Sequence, residues 1–292
     1  AGNGWHVECD DCHNAHTAGR LTHTPPGNTV SSTSAIYGAG GAEPPASYTA
    51  WSPLLASAYT YIEPLGVLRI SGSNLGVTKE YQICLKCHSS FAWGSSGSVP
   101  NSPSLNASMT DQAMEFNTAN ASFHPVLGPN GSTQGTTVVP WTTGSQTMYC
   151  SDCHNTNGLN AQGPHGSNNA AILPMTYNNS YTNTTTALQS SALGSSDDLC
   201  FKCHSETTYQ NNGPAAGTGF SGSGVNLHTQ HRIHASGSGL SSFGYRCVNC
   251  HTRVPHGYNR KAMIVRQGEG FPYEAVGTGA GKIVSVSLAA SG

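Results

Sequence analysis

The stretch Cys9-Asp10-Asp11-Cys12-His13 is the first of five Cys-x-x-Cys-His sequences in this chain of 292 residues. This pentapeptide is the attachment sequence of c-type haem. Its two thiols bond to the vinyl groups of one porphyrin, and the adjacent imidazole falls beneath the iron as an axial ligand. The other copies are Cys84–His88, Cys150–His154, Cys200–His204 and Cys247–His251, and the five together use all ten cysteines. The pattern predicts five covalent haems.

The predicted site residues follow directly from the motif. The expected thioether residues are Cys9, Cys12, Cys84, Cys87, Cys150, Cys153, Cys200, Cys203, Cys247 and Cys250. The expected proximal iron ligands are His13, His88, His154, His204 and His251. No cysteine is left for a disulfide or a free thiol.

Zinc and dithiol redox chemistry are the alternatives to haem. A Cys₄ zinc site uses two Cys-x-x-Cys pairs, so an odd number of pairs leaves one over, and zinc ribbons need no His after the second Cys. A thioredoxin-like pair would call for one motif beside a βαβ pattern, which the sequence lacks. Covalent haem is therefore the preferred interpretation.

Composition predicts a loop-rich chain with a weak core of its own. Only 9% of the residues are charged, and 35 Gly and 16 Pro lie among runs of Ser, Thr and Asn. Such a chain buries too little apolar side-chain area to offset its conformational entropy. We expect little regular structure, with short helices and a few short strands wrapped around a chain of haems, and a largely unfolded apoprotein.

The charge and hydropathy patterns exclude some partners and suggest a location. There is no basic stripe for nucleic acid and no apolar run long enough to span a membrane.

The chain begins at Ala1 without a leader, which we interpret as a mature secreted protein whose signal peptide has been removed. Haem c attachment outside the cytoplasm agrees with an extracellular or cell-surface location. Several Asn-x-Ser/Thr sequences occur, but chance explains them in so Asn-rich a chain.

The surroundings of the motifs repeat, which indicates an internal duplication. The second motif, Cys-Leu-Lys-Cys-His-Ser, is matched by the fourth, Cys-Phe-Lys-Cys-His-Ser. Each is followed by an isolated His, a further motif and a Pro-His-Gly sequence. We predict a single domain over 1–292, made of an N-terminal haem unit (1–80) and two haem-pair cassettes (81–196 and 197–292).

The histidine supply is enough for two imidazoles on every iron. Of the 14 His, nine lie outside the motifs. The predicted distal ligands are His16, His124, His165, His228, His231 and His256. His228 and His231 are preferred as ligands over the neighbouring His234. The sequence leaves open which distal His serves which haem, and whether His6, His23 or His234 contribute. The Met residues lie in no repeated context, so bis-His ligation is favoured over Met ligation.

Several of these segments resemble one known family. They are the N-terminal Cys-x-x-Cys-His-x-x-His, the Phe-His-Pro-Val at His124, the Gly-Pro-His-Gly at His165, and the Asn-Leu-His-x-x-His that leads to the last motif and its Pro-His-Gly. They are similar to outer-surface multihaem cytochromes that polymerise into extracellular cytochrome nanowires. The resemblance covers the haem-binding segments from His6 to about Arg266, and an odd number of haems departs from it.

The resemblance implies a homopolymer. In that family the His at the position of His16 ligates a haem of the neighbouring subunit, so His16 would join consecutive subunits. The implied function is electron conduction through a continuous chain of bis-His haems to other cytochromes or extracellular acceptors, without enzymatic activity. The alternatives are a monomeric periplasmic electron shuttle and a multihaem reductase, which would need an iron with an open coordination position.

A few regular elements are predicted by local pattern. Helical turns are expected at each motif and over Asp111–Ala119, and strands over Gly66–Ile70 and Lys282–Leu288, the second of which could pair with another subunit. Surface loops are predicted where Gly, Ser and Thr dominate, at Ser31–Ala50, Ser95–Ser108, Asn178–Ser196 and Gly213–Gly224.

Overall fold

The elements of the chain are short. A computed structural model describes residues 7–66, 76–94, 111–132, 135–158, 162–177, 199–210, 217–222, 224–232, 247–266, 269 and 273. In these ranges the helices are α1 (Cys9–Cys12), α2 (Tyr81–Cys87), α3 (Ser90–Trp93), α4 (Gln112–Phe116), α5 (Glu206–Gln210) and α6 (Leu227–Arg232). The strands are β1 (Gly41–Glu43), β2 (Thr60–Ile62), β3 (Ser122–Phe123), β4 (Ser221–Gly222), β5 (Val225–Asn226) and β6 (Gly257–Tyr258). None of the described helices is long and apolar enough to cross a membrane.

Single 3₁₀ turns complete the described structure. They are Ala56–Ala58, Cys150–Asp152, Ala170–Ile172, Leu199–Lys202, Cys247–Asn249 and Lys261–Met263. Elements this short are compatible with the predicted loop-rich chain. The helical turns predicted at the motifs are confirmed, and so is a helix within Asp111–Ala119, where α4 lies.

The chain divides into two compact units. The first comprises Ala1–Asn120, His124–Gly128 and Thr147–Asp152, and the second comprises Ala121–Phe123, Pro129–Gln146 and Cys153–Gly292. The third motif contributes residues to both. The division into an N-terminal haem unit and two cassettes stays a prediction.

The first unit contains a two-stranded sheet packed on α2. Strands β1 and β2 are antiparallel, with Gly41 opposite Ile62. A Cβ at Gly41 would lie 2.6 Å from Val77 Cγ1 and 2.8 Å from the Gln82 carbonyl, so only glycine allows this close approach. A small apolar cluster of Ala39, Val77 and Ile83 lies alongside. The prediction of a surface loop over Ser31–Ala50 is therefore wrong at β1, because long-range pairing overrides local composition there.

The buried carboxylate of Asp111 accepts hydrogen bonds from separate segments of the first unit. Its Oδ1 accepts hydrogen bonds from the Tyr59 hydroxyl (2.6 Å) and the Ala113 amide (3.2 Å), and its Oδ2 accepts one from the Leu54 amide (2.7 Å). The bond to Ala113 caps the first turn of α4. Burial raises the pKa of Tyr59, and its hydrogen bond to Asp111 acts in the same direction. Asp111 thus connects α4 to the chain before α2.

Replacing Asp111 by Ala should destabilise the first unit by about 3 kcal/mol, because buried donors to a charged acceptor lose their partner. Denaturant unfolding of the holoprotein measures the effect. Thr118→Ala, at an exposed position close to α4, is the control and should change stability by less than about 0.5 kcal/mol. Equal stability of the two variants would contradict this role.

In the described part of the second unit, two short antiparallel strand pairs form. In β3–β6, Ser122 lies opposite Tyr258, and in β4–β5, Ser221 lies opposite Asn226. The Ser122 hydroxyl donates to the Arg260 carbonyl (2.6 Å) and accepts from the Met263 amide (2.7 Å). These bonds fix the chain between β6 and the Lys261–Met263 turn.

Not every predicted element can be compared with the structure. The loop predicted over Gly213–Gly224 is wrong at β4, which pairs with β5. Most of the strand predicted at Gly66–Ile70, the strand at Lys282–Leu288, and the loops at Ser95–Ser108 and Asn178–Ser196 lie outside the described residues.

Candidate functional site

Each of the five motifs lies on a helical turn. The turns are α1, the end of α2, and the 3₁₀ turns Cys150–Asp152, Leu199–Lys202 and Cys247–Asn249. In four motifs the amide of the motif His donates to the carbonyl of the first Cys four residues earlier: His13 to Cys9 (2.8 Å), His88 to Cys84 (2.8 Å), His204 to Cys200 (2.9 Å) and His251 to Cys247 (2.8 Å). Residues three and four apart share one face of such a turn. Both thiols and the imidazole are thereby brought to one side.

The odd-numbered motifs share a hydrogen bond that fixes the tautomer of the His. The Nδ1 atoms of His13, His154 and His251 donate to backbone carbonyls at 2.8, 2.7 and 2.6 Å. The three acceptors are Ala35, Ala171 and Ala262. A carbonyl can only accept, so Nδ1 carries the proton and Nε2 carries the lone pair of the neutral ring. This is the hydrogen bond that orients metal-bound histidines.

The third and fifth motifs repeat this arrangement closely. Ala171 and Ala262 have φ of 58° and 54°, and each is followed by a second residue in the left-handed region, Ile172 or Met263. The amides of Asn155 and Thr252, which follow the motif His, donate to the Ile172 and Met263 carbonyls at 2.8 Å in both cases. Consecutive left-handed non-glycine residues are strained and occur chiefly at functional sites. The structure thus repeats around the two motifs, as the sequence duplication predicts.

The even-numbered motifs are followed by a serine that begins another helix. The Ser89 hydroxyl accepts from the Phe91 amide (3.1 Å) at the start of α3. The Ser205 hydroxyl accepts from the Thr208 amide (3.3 Å) at the start of α5. The Cys-x-Lys-Cys-His-Ser sequence therefore indicates a different local structure from that of the odd motifs.

Two pairs of imidazoles in the second unit lie at the separation expected of two ligands on one iron. The His154 and His256 ring centroids are 6.0 Å apart with an interplanar angle of 62°. The His228 and His251 centroids are 6.2 Å apart with an interplanar angle of 8°. Two imidazoles on opposite sides of a metal, each nitrogen about 2 Å from it, place their centroids about 6 Å apart. Each pair combines a motif His with a predicted distal ligand.

Burial keeps the fifth motif suited to metal binding. It lowers the pKa of His251, which holds the ring in the neutral form that a metal requires. Burial, with a smaller contribution from Cys247, raises the pKa of the Cys250 thiol to about 11. The thiol is therefore not activated for dithiol redox chemistry at neutral pH.

The first and second motifs lie side by side in the first unit. The Lys86 ammonium, between the cysteines of the second motif, donates to the Asp11 carbonyl (2.7 Å) and lies 3.2 Å from the Asp11 carboxylate. Burial, followed by the nearby Cys84, raises the pKa of the Cys12 thiol to about 11. This bridge brings two predicted haem attachment sites together.

The other predicted distal ligands have different surroundings. His16 is exposed, and its only described interaction is a bond from its backbone amide to the Asn14 side chain (3.0 Å). His165 is also exposed, whereas His124 is partly buried. The backbone of His231 lies in α6, but its side chain is outside the described part, as are His6 and His234.

The sequence allows His23 to be either a solvent-facing residue or a ligand of the first haem. In the structure its partly buried ring stacks on Tyr149 at 3.8 Å. Its Nε2 lies 3.3 Å from Asp152 Oδ1 and its Nδ1 lies 3.6 Å from Glu80 Oε2. The solvent-facing interpretation holds only in part, because residues more than fifty positions away contact the ring and leave the side chain 19% exposed.

The described residues form no ready-made zinc site. A structural zinc ion needs four converging ligands. Among the residues that the structure describes, which include all ten cysteines, no three His, Cys, Asp or Glu side chains converge as a metal site. Separate Cys-x-x-Cys-His turns with an opposing imidazole suit a porphyrin, which itself supplies four ligands to its iron.

Comparison with known proteins gives no family for this chain. No protein-family model, curated protein or solved structure matches it.

Proposed function

We propose that this chain is a c-type cytochrome with five covalent haems that carries electrons and catalyses no reaction. The observation that carries the proposal is that two motif histidines, His154 and His251, each have the ring of a second histidine centred about 6 Å away. Haem supplies one-electron oxidation and reduction at its iron. The chain's residues attach it, ligate it and set its surroundings.

The described contacts suggest what each class of residue does. The motif cysteines would hold the cofactor covalently, so its retention would not depend on apolar packing alone. The carbonyls of Ala171 and Ala262 hold the proximal rings with Nε2 directed away from the hydrogen bond. His256 and His228 would close the opposite side as distal ligands. Bis-His ligation favours low potential and leaves no position for a substrate.

A multihaem reductase is the enzymatic alternative, and carbon monoxide distinguishes it. If His228 is a distal ligand, the reduced wild-type protein should bind little carbon monoxide, and His228→Ala should bind about one equivalent per chain at the opened iron. Absorption spectra in the Soret region measure this. Lys261→Gln is the control, because Lys261 is exposed in the same unit and is not a candidate ligand, and it should bind no more than the wild type. Substantial binding by the wild type would favour a reductase.

We further propose that the chain assembles as an extracellular filament through His16. The resemblance to polymerising cytochromes suggests this role, and the exposure of His16 supports it, because an exposed imidazole is accessible to a second copy. A location outside the cytoplasm follows from the proposed haem attachment. A monomeric periplasmic shuttle is the alternative, and particle size distinguishes the two.

A further inference from the structure

One aromatic side chain, Tyr209 of α5, lies between the fourth and fifth motif regions of the second unit. Its ring centroid is 5.6 Å from that of His204, at an interplanar angle of 86°. It is also 4.9 Å from the His228 ring, at 78°. Tyr209 therefore contacts the motif His of the fourth site and the imidazole that faces His251 at the fifth.

The His228 ring is bounded by a second aromatic side chain. The Phe220 centroid lies 5.2 Å away, at an interplanar angle of 82°. Edge-to-face contacts of this kind are directional and are worth about 1 kcal/mol each beyond their buried area. Two such contacts restrict rotation of the imidazole about its Cβ–Cγ bond.

The backbone around Tyr209 and His228 is fixed by one buried amide. The Asn226 Nδ2 donates to the Thr208 carbonyl (2.7 Å), immediately before Tyr209. Its Oδ1 accepts from the His228 amide (3.1 Å) at the start of α6. Asn226 is only 4% exposed, so these bonds are shielded from water. One buried side chain thus bonds to the backbone next to each ring and links the positions of the two residues.

We propose that Tyr209 is a positioning residue that holds the His228 imidazole nearly parallel to that of His251. This inference rests on the proposed function, in which these two rings ligate one iron. Their interplanar angle is 8°, against 62° for His154 and His256. The angle between axial imidazoles determines how the iron d orbitals split. Nearly parallel rings give a rhombic low-spin signal in electron paramagnetic resonance, and strongly rotated rings give a more anisotropic one.

Two substitutions separate the ring from the hydroxyl. Tyr209→Phe keeps the aromatic face, and Tyr209→Leu removes it at similar bulk. The oxidised holoproteins are compared by electron paramagnetic resonance after intact mass has confirmed equal haem content. We expect the rhombic signal in the wild type and in Tyr209→Phe, and its loss from one haem per chain in Tyr209→Leu, with a matching gain of the anisotropic signal. Tyr209→Met is a second variant, used if Tyr209→Leu does not accumulate, with the same expectation.

The outcomes separate this inference from the proposed function. An unchanged rhombic signal in Tyr209→Leu or Tyr209→Met overturns the positioning role while leaving bis-His ligation intact. A wild type that lacks low-spin bis-imidazole signals overturns the proposed function itself. Failure of both ring-deleting variants to accumulate, when Tyr209→Phe accumulates normally, would show that the ring serves folding and would also overturn the proposal.

Discussion

A chain in which Cys247 and Cys250 are both replaced by Ala is expected to carry four haems instead of five. Without the two thioethers, this haem would depend on axial ligands alone. Its loss should also unfold part of the second unit, because the apolar cluster described at this motif is small, with Tyr177 packed against Val248. Polypeptide with so little core cannot offset its conformational entropy.

Intact mass and circular dichroism measure the two effects separately. The control is Val248→Ile in the same motif, which keeps both thiols and makes a small apolar change at a buried position. It should retain five haems. A double-Ala variant that keeps the full haem mass would show that these cysteines do not attach haem.

Replacement of His16 by Ala is expected to abolish filaments and leave particles of one or a few chains. In the proposed assembly each His16 ligates an iron of the next copy, so its removal breaks every junction at once. One iron per chain should also lose its second protein ligand, become five-coordinate and be able to bind carbon monoxide when reduced.

Electron microscopy and size measurement at neutral pH test this expectation. Arg20→Gln is the control, since Arg20 is also exposed, lies close in sequence and has no part in the proposed ligation. Its filaments should match those of the wild type. Filaments of normal length in His16→Ala, with every haem still six-coordinate, would refute the intersubunit ligand.

Features encoded within a few residues were predictable from the sequence. The Cys-x-x-Cys-His spacing predicts a helical turn because a shared face requires residues three and four apart, and the turns at α1 and α2 confirm it. The duplication was also readable, and the repeated Ala171 and Ala262 arrangement agrees with it. The pairs Ala171-Ile172 and Ala262-Met263, whose alanine carbonyls accept the hydrogen bond of a motif His, could have indicated this arrangement, but the sequence analysis did not identify them.

Features that depend on distant parts of the chain were not predictable. Strand β1 is buried because Val77 and Gln82 pack against Gly41, although its own composition indicates a loop. His23 lies between Glu80 and Asp152, which no local pattern suggests. The partners of His154 and His251 likewise depend on tertiary packing, since His count alone allows several pairings.

The mass of the intact purified protein tests the central claim most directly. We predict the mass of the polypeptide plus five haems, retained after denaturation, together with the sharp reduced α-band of low-spin haem c. A mass equal to the bare polypeptide, or to the polypeptide with zinc, would contradict the account.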